Sequence, residues 1–155
     1  MNSRWLTIKQ LDKQLNDWQT VSYQYPRPKV GWVKTIRSAL TMSVEQLASR
    51  LGLSRGRIAQ LESAEIDDAV TLHTLKKVAE AMDCEFVYAI VPKRMTTIES
   101  IIHKQAELVA NHRVDRTAHT MSLESQSVAS DYLKKQKEEL TKKLIDHLDK
   151  KLWKK

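Results

Sequence analysis

Twenty residues, Ser43 to Glu62, constrain this chain more than any other stretch. Ser43-Val-Glu-Gln46 has the Ser-x-x-Gln form of a capping box, in which the first and last side chains satisfy each other's backbone N–H groups. Met42 and Leu47 flank it as a hydrophobic staple, so a helix is expected to start at Val44 and to carry Leu47, Ala48 and Leu51 inward. Gly52 supplies the left-handed residue that ends such a helix. Ser54 can cap the next one, whose apolar positions are Ile58 and Leu61. Two helices this short cannot bury their faces separately. Leu47, Leu51, Leu53, Ile58 and Leu61 therefore read as a shared core, with Ala48 at the crossing where only a small residue fits. The expected unit is a helix-turn-helix.

The flanking sequence supplies further helices. Trp32, Val33, Ile36 and Leu40 form one stripe ahead of the unit, and Thr71 caps a helix with Leu72, Leu75, Val78, Ala79 and Met82 inward. Cys84 to Val91 is β-branched and aromatic and stops at Pro92, so it reads as a strand. Its unpaired backbone calls for either the extended stretch Val21 to Tyr25 or a second copy of the chain. Ahead of all this, Trp5, Ile8, Leu11, Leu15 and Trp18 mark an amphipathic helix over residues 3–18, capped by Ser3. Pro26 and Pro28 then force an extended arm. After Pro92, Ile98, Ile101, Ile102, Leu108, Val109 and His112 form one long stripe, and Leu133, Leu140, Leu144, Leu148 and Leu152 a second. The expected fold is mainly α: a helix-turn-helix domain with one β-strand and flanking N- and C-terminal helices. The expected division is 1–27 as N-terminal helix and arm, 28–92 as the helix-turn-helix domain with its trailing strand, and 93–155 as a helical partner or oligomerisation segment.

Composition closes off several alternatives. The chain has 155 residues, with 26 Lys+Arg against 19 Asp+Glu and only 3 Gly and 3 Pro, too few for a turn-rich all-β protein. Its longest apolar run, Phe86 to Val91, has six residues, against the roughly 20 that span a bilayer. No signal-peptide core is visible, so a cytoplasmic protein that does not engage membranes is expected. Cys84 is the single cysteine, and His73, His103, His112, His119 and His147 include no close pair, so neither a disulfide nor a metal or cofactor is expected. No catalytic Ser/His/Asp order or Gly-rich phosphate loop occurs, and no enzyme is expected. The positive charge is uneven: residues 1–30 carry +3, residues 31–92 carry −1, and residues 93–155 carry +5. Binding to nucleic acid must then rest on where individual Arg side chains sit rather than on bulk charge. The Lys-rich C-terminal run is interleaved with Glu138, Glu139, Asp146 and Asp149 and reads as a solvated helix face.

Those Arg residues lie in the second helix of the unit. Ser54, Arg55, Gly56, Arg57 and Gln60 fall on its outer face and N-terminal end, the part of a recognition helix that enters the major groove of double-stranded DNA. Arg reads guanine bidentately and Gln reads adenine. Gly56 lets the backbone lie close to the DNA. Arg27 and Lys29 on the arm can reach phosphate, and Ser43 and Gln46 sit at the start of the preceding helix.

The run Gln46-Leu-Ala-Ser-Arg-Leu-Gly-Leu-Ser-Arg-Gly-Arg-Ile-Ala-Gln-Leu-Glu62 resembles the lambda-repressor-like (XRE-type) helix-turn-helix family, over about residues 32–83. Val44 stands where many members carry a phosphate-bracing Gln. Arg27-Pro-Lys-Val-Gly-Trp32, Asp83 to Pro92 and His119-Thr-Met-Ser-Leu-Glu124 are also similar to the family called mobile mystery protein A. That resemblance covers nearly the whole chain. It implies a regulator encoded beside a Fic-domain protein, the two behaving as antitoxin and toxin. Fic antitoxins carry a helix with Ser/Thr-x-x-x-Glu-Gly/Asn, whose Glu blocks the nucleotide site. Thr120 and Glu124 match its first two positions, while Ser125 departs from the last; Thr41 and Glu45 share the spacing in a capping region. The expected function is a DNA-binding autorepressor acting as antitoxin to a Fic-domain toxin, as a homodimer or hetero-oligomer. The rivals are an inhibitor module without DNA binding and a stand-alone repressor without a toxin partner. Arg55, Gly56 and Arg57 on one exposed turn favour DNA binding over the inhibitor module.

Overall fold

The computed structural model describes residues 3–123, 129–148 and 150–154. Two compact units emerge, one of Val21–Ile90 and one of Met1–Thr20 with Val91–Lys155. Among the described residues seven α-helices follow in order: α1 (Ser3–Gln24), α2 (Trp32–Ala39), α3 (Val44–Leu51), α4 (Arg55–Ile66), α5 (Leu72–Ala81), α6 (Ile98–Leu123) and α7 (Ser130–His147). None of these helices is long and apolar enough to cross a membrane.

The Val21–Ile90 unit is built around Val33, Leu47, Ala48, Ile58, Leu61, Val78 and Met82. Leu47 and Ile58 are fully buried, and Ala48 is almost so, as the crossing of two short helices requires. The capping box forms: Ser43 Oγ accepts from the Gln46 N–H at 3.1 Å and the Ser43 N–H donates to Gln46 Oε1 at 2.7 Å. Gly52 ends α3 at φ 65°, and a Cβ there would meet nothing within 4 Å. Conformation alone therefore selects glycine at that position. Ser54 and Thr71 cap α4 and α5 by accepting from the N–H groups of Arg57 and Thr74.

The expected strand at Cys84–Val91 is not formed; among the described residues no strand occurs. The internal partner it requires, Val21–Tyr25, is not extended: Val21 to Gln24 complete α1, whose backbone bonds run within the helix. A single extended segment has no ladder to join. Cys84 packs against the core, while Val87, Tyr88 and Ile90 stay exposed, Ile90 at 87%. Helix α1 also outruns the expected end at residue 18 and stops just before Tyr25, where Pro26 disfavours helical backbone in its predecessor.

In the second unit α6 and α7 form an antiparallel hairpin. Gln105 near the start of α6 donates to the Leu152 carbonyl at 2.6 Å, and Asp115 further along pairs with Lys137 at 2.6 Å. Ala106, Ala110, Leu144 and Leu152 are its buried centre, with Ile102, Val109, Leu140 and Ile145 beside them. The inward face of α6 thus follows its alanines, and Ile101, Leu108 and His112 of the expected stripe point outward. Asp12 of α1 accepts from the N–H groups of Ile98 at 2.7 Å and Glu99 at 3.1 Å, capping α6 from outside. Buried Gln19 donates to the carbonyls of Pro92 and Thr96 at 2.9 and 2.8 Å.

Candidate nucleic-acid interface

The outer end of α4 is positioned by acids on its inner face. Ile58, Leu61, Glu62 and Glu65 recur at the spacing of one helical stripe, and all four are buried. Glu62 takes a forked ion pair from Arg37 of α2, Nε to Oε1 at 2.6 Å and Nη2 to Oε2 at 3.2 Å. The third arm of that guanidinium donates to the Met42 carbonyl at 2.9 Å. The hydrogen bond to Glu62 raises the Arg37 pKa above its ordinary value, outweighing the burial that lowers it. Glu65 accepts from the backbone N–H groups of Trp32 at 2.7 Å and Val33 at 3.0 Å. It thereby caps α2, whose own N-cap, Gly31, has no side chain to offer. Gly31 has φ 81°, and a Cβ there would fall 2.6 Å from Glu65 Oε2, so glycine is required twice over. Sequence pattern could have revealed Glu62 and Glu65, since both fall on an otherwise apolar stripe.

Clamped from behind, α4 turns its N-terminal residues outward. Ser54, Arg55, Gly56, Arg57 and Gln60 are all exposed. Arg57 donates to Gln60 Oε1 at 3.3 Å, joining two base-reading candidates into one polar edge. Arg55 pairs with Glu45 of α3 at 3.1 Å, a contact absent from the sequence reading. Glu45 is held below the ordinary carboxylate range first by its own backbone N–H and then by the Ser43 hydroxyl, with Arg55 adding to both. The pair is exposed, so it orients Arg55 rather than stabilising the fold. Gly56 differs from the other two glycines. A Cβ there would meet only Ser54 Oγ at 4.0 Å, and its backbone is helical. Packing does not ask for glycine at this position.

The remaining candidates are dispersed. Ser43 and Gln46 are exposed at the start of α3, bound to each other in the capping box, which leaves the Gln46 NH2 group for another acceptor. Arg27 binds Asp68 and donates to the carbonyls of Glu65 at 3.0 Å and Ile66 at 3.2 Å, tying the arm to the C-terminal end of α4. That end lies roughly 15 Å along the axis from Arg55. Lys29 is exposed on the same arm. Thr120 lies inside α6, its hydroxyl donating to the Arg116 carbonyl at 3.1 Å, and Glu124 lies outside the described residues. No cluster of His, Cys, Asp or Glu among the described residues could hold a metal ion.

Searches of curated proteins and of solved structures found no match to the chain. Residues 33–88 match a family model described as helix-turn-helix, of XRE type, a span that takes in α3, the turn at Gly52 and α4. The match supports a DNA-binding regulator, and the chain carries a helix-turn-helix domain.

Proposed function

We propose that this chain is a sequence-specific transcriptional repressor of its own operon, with the first turns of α4 seated in the major groove of double-stranded DNA. The observation that carries this reading is Gly56: a helical glycine between two exposed arginines, at a position where packing would accept alanine. A side chain removed without internal reason leaves room for a close external surface. Arg55, Arg57 and Gln60 then read base edges. Ser43, Gln46, Ser54 and the arm residue Lys29 contact phosphate, and Arg27 anchors that arm. Fluorescence anisotropy with DNA from the chain's own promoter tests the reading. The Arg55→Ala, Arg57→Ala double variant should lose preference for that DNA over a scrambled duplex, and equal preference in both proteins would overturn it.

A dimer suits this function, because half-sites one helical turn apart mirror a two-fold protein. The exposed, β-prone segment with Val87, Tyr88 and Ile90 is the surface we assign to the second copy, and sedimentation of a monomer alone would remove that assignment. The antitoxin role toward a Fic-domain partner is supported by the resemblance of Thr120 to Glu124 and its neighbouring motifs. It places the partner on the α6–α7 unit, with Glu124 as the inhibitory carboxylate. Complete inhibition of the co-purified neighbouring gene product by a Glu124→Gly variant would contradict it.

A further inference from the structure

Helices α4 and α5, with Leu51, Leu53 and the loop at Val70, line a cleft of about 440 Å³ that is half open to solvent, a volume within the roughly 300–1,000 Å³ of small-molecule sites. Its floor is apolar: Leu61 and Val78 are buried and Val70 half-buried. Exposed on its rim stand Arg57, His73 and Lys77, and none of the residues lining it carries a carboxylate. An apolar floor under a rim that carries the Arg57 and Lys77 cations and no carboxylate matches a ligand with a hydrocarbon body and one negative head. We propose that this cleft binds a small amphipathic carboxylate, of the medium-chain fatty-acid class, and that its occupancy releases DNA. The body lies on Leu61, Val70 and Val78, and the carboxylate pairs with Arg57 and Lys77.

Release follows from a shared side chain. Arg57 and Gln60 line the cleft and also form the polar edge of the DNA-facing turn. A carboxylate bound to the Arg57 guanidinium withdraws it from a base or phosphate and adds negative charge beside the nucleic acid. This half of the proposal rests on the DNA-binding reading; the cleft itself does not.

The test titrates the full chain with monomeric decanoate by calorimetry, with methyl decanoate as the uncharged control. Saturable one-to-one binding of decanoate, and much weaker binding of the ester, is expected. Lys77→Gln should weaken decanoate binding by about two- to fivefold, and Val70→Trp should fill the floor and abolish it while circular dichroism stays that of the unmodified protein. If Val70→Trp does not fold, Lys77→Glu, a change on the exposed rim, should abolish binding in its place. Absence of saturable binding at millimolar decanoate, equal binding of the ester, or affinity unchanged in these variants would each overturn the proposal. A Lys77→Gln protein that binds DNA less well while its decanoate affinity is unchanged would make the cleft part of the DNA interface, and the proposal would fall. Decanoate should also displace promoter DNA from the unmodified protein but not from the Val70→Trp variant. Should the unmodified protein bind no DNA, the DNA reading fails alone, and the calorimetric arm still decides the cleft.

Discussion

At the scale of single residues, three glycines in one small unit separate structural from functional demand. Gly31 and Gly52 adopt positive φ, where a side chain is strained. Gly56 sits in an ordinary helix with open space around it, so its presence weakens α4. Gly56→Ala is therefore expected to stabilise the fold by about 0.5–1 kcal/mol in urea unfolding while weakening promoter binding. An alanine variant that gained stability and kept full DNA affinity would show that no surface approaches the backbone there. The buried Arg37–Glu62 pair makes the opposite kind of contribution. Arg37→Ala leaves the Glu62 carboxylate buried without its partner and should cost about 3–5 kcal/mol. That is a large share of the roughly 5–15 kcal/mol that holds a domain folded. A loss below 1 kcal/mol in denaturant unfolding would mean that water reaches Glu62.

At the scale of elements, chemistry local to a few residues was legible in the sequence and pairing across distance was not. The capping box at Ser43 and Gln46, the stop at Gly52 and the caps at Ser54 and Thr71 each depend on side chains within three or four positions. The structure forms all of them. Residues 84–91 have strand composition, yet a strand also needs a neighbour, and α1 had already claimed Val21 to Gln24. The largest apolar residues of α6 suggest one stripe, whereas Ala106 and Ala110 mark the close approach of α7. Leu11 likewise stood in the expected stripe of α1, but Asp12 faces inward because it caps α6. Asp12→Ala should therefore lower stability by about 1 kcal/mol, read in thermal or urea unfolding. An unchanged midpoint would show that water satisfies the N–H groups of Ile98 and Glu99 equally well. At the candidate site, the exposed turn from Ser54 to Gln60 was readable from helical spacing. The Arg55–Glu45 pair and the Arg27 anchor depend on contacts between elements that no spacing reveals.

At the scale of the whole molecule, charge and fold divide the work. The middle of the chain carries a slight negative net charge, so in the proposed reading DNA affinity rests on a few exposed cations, Arg55 and Arg57 of α4 and Lys29 of the arm. Such an interface has a characteristic salt response, since each phosphate neutralised releases counterions. An arginine that reads a base contributes roughly 1–3 kcal/mol and sets preference at one position, whereas a lysine on phosphate acts alike on every sequence. The α6–α7 hairpin buries its main apolar faces within itself, around Ala106, Ala110, Leu144 and Leu152. The most direct measurement is promoter-DNA affinity across a salt series, for the unmodified chain and for the Arg55→Ala, Arg57→Ala variant. Tight binding that falls linearly on a log–log plot is expected for the unmodified chain, and weaker binding with a shallower slope and no sequence preference for the variant. Identical affinity, slope and preference in the two proteins would contradict the proposed reading.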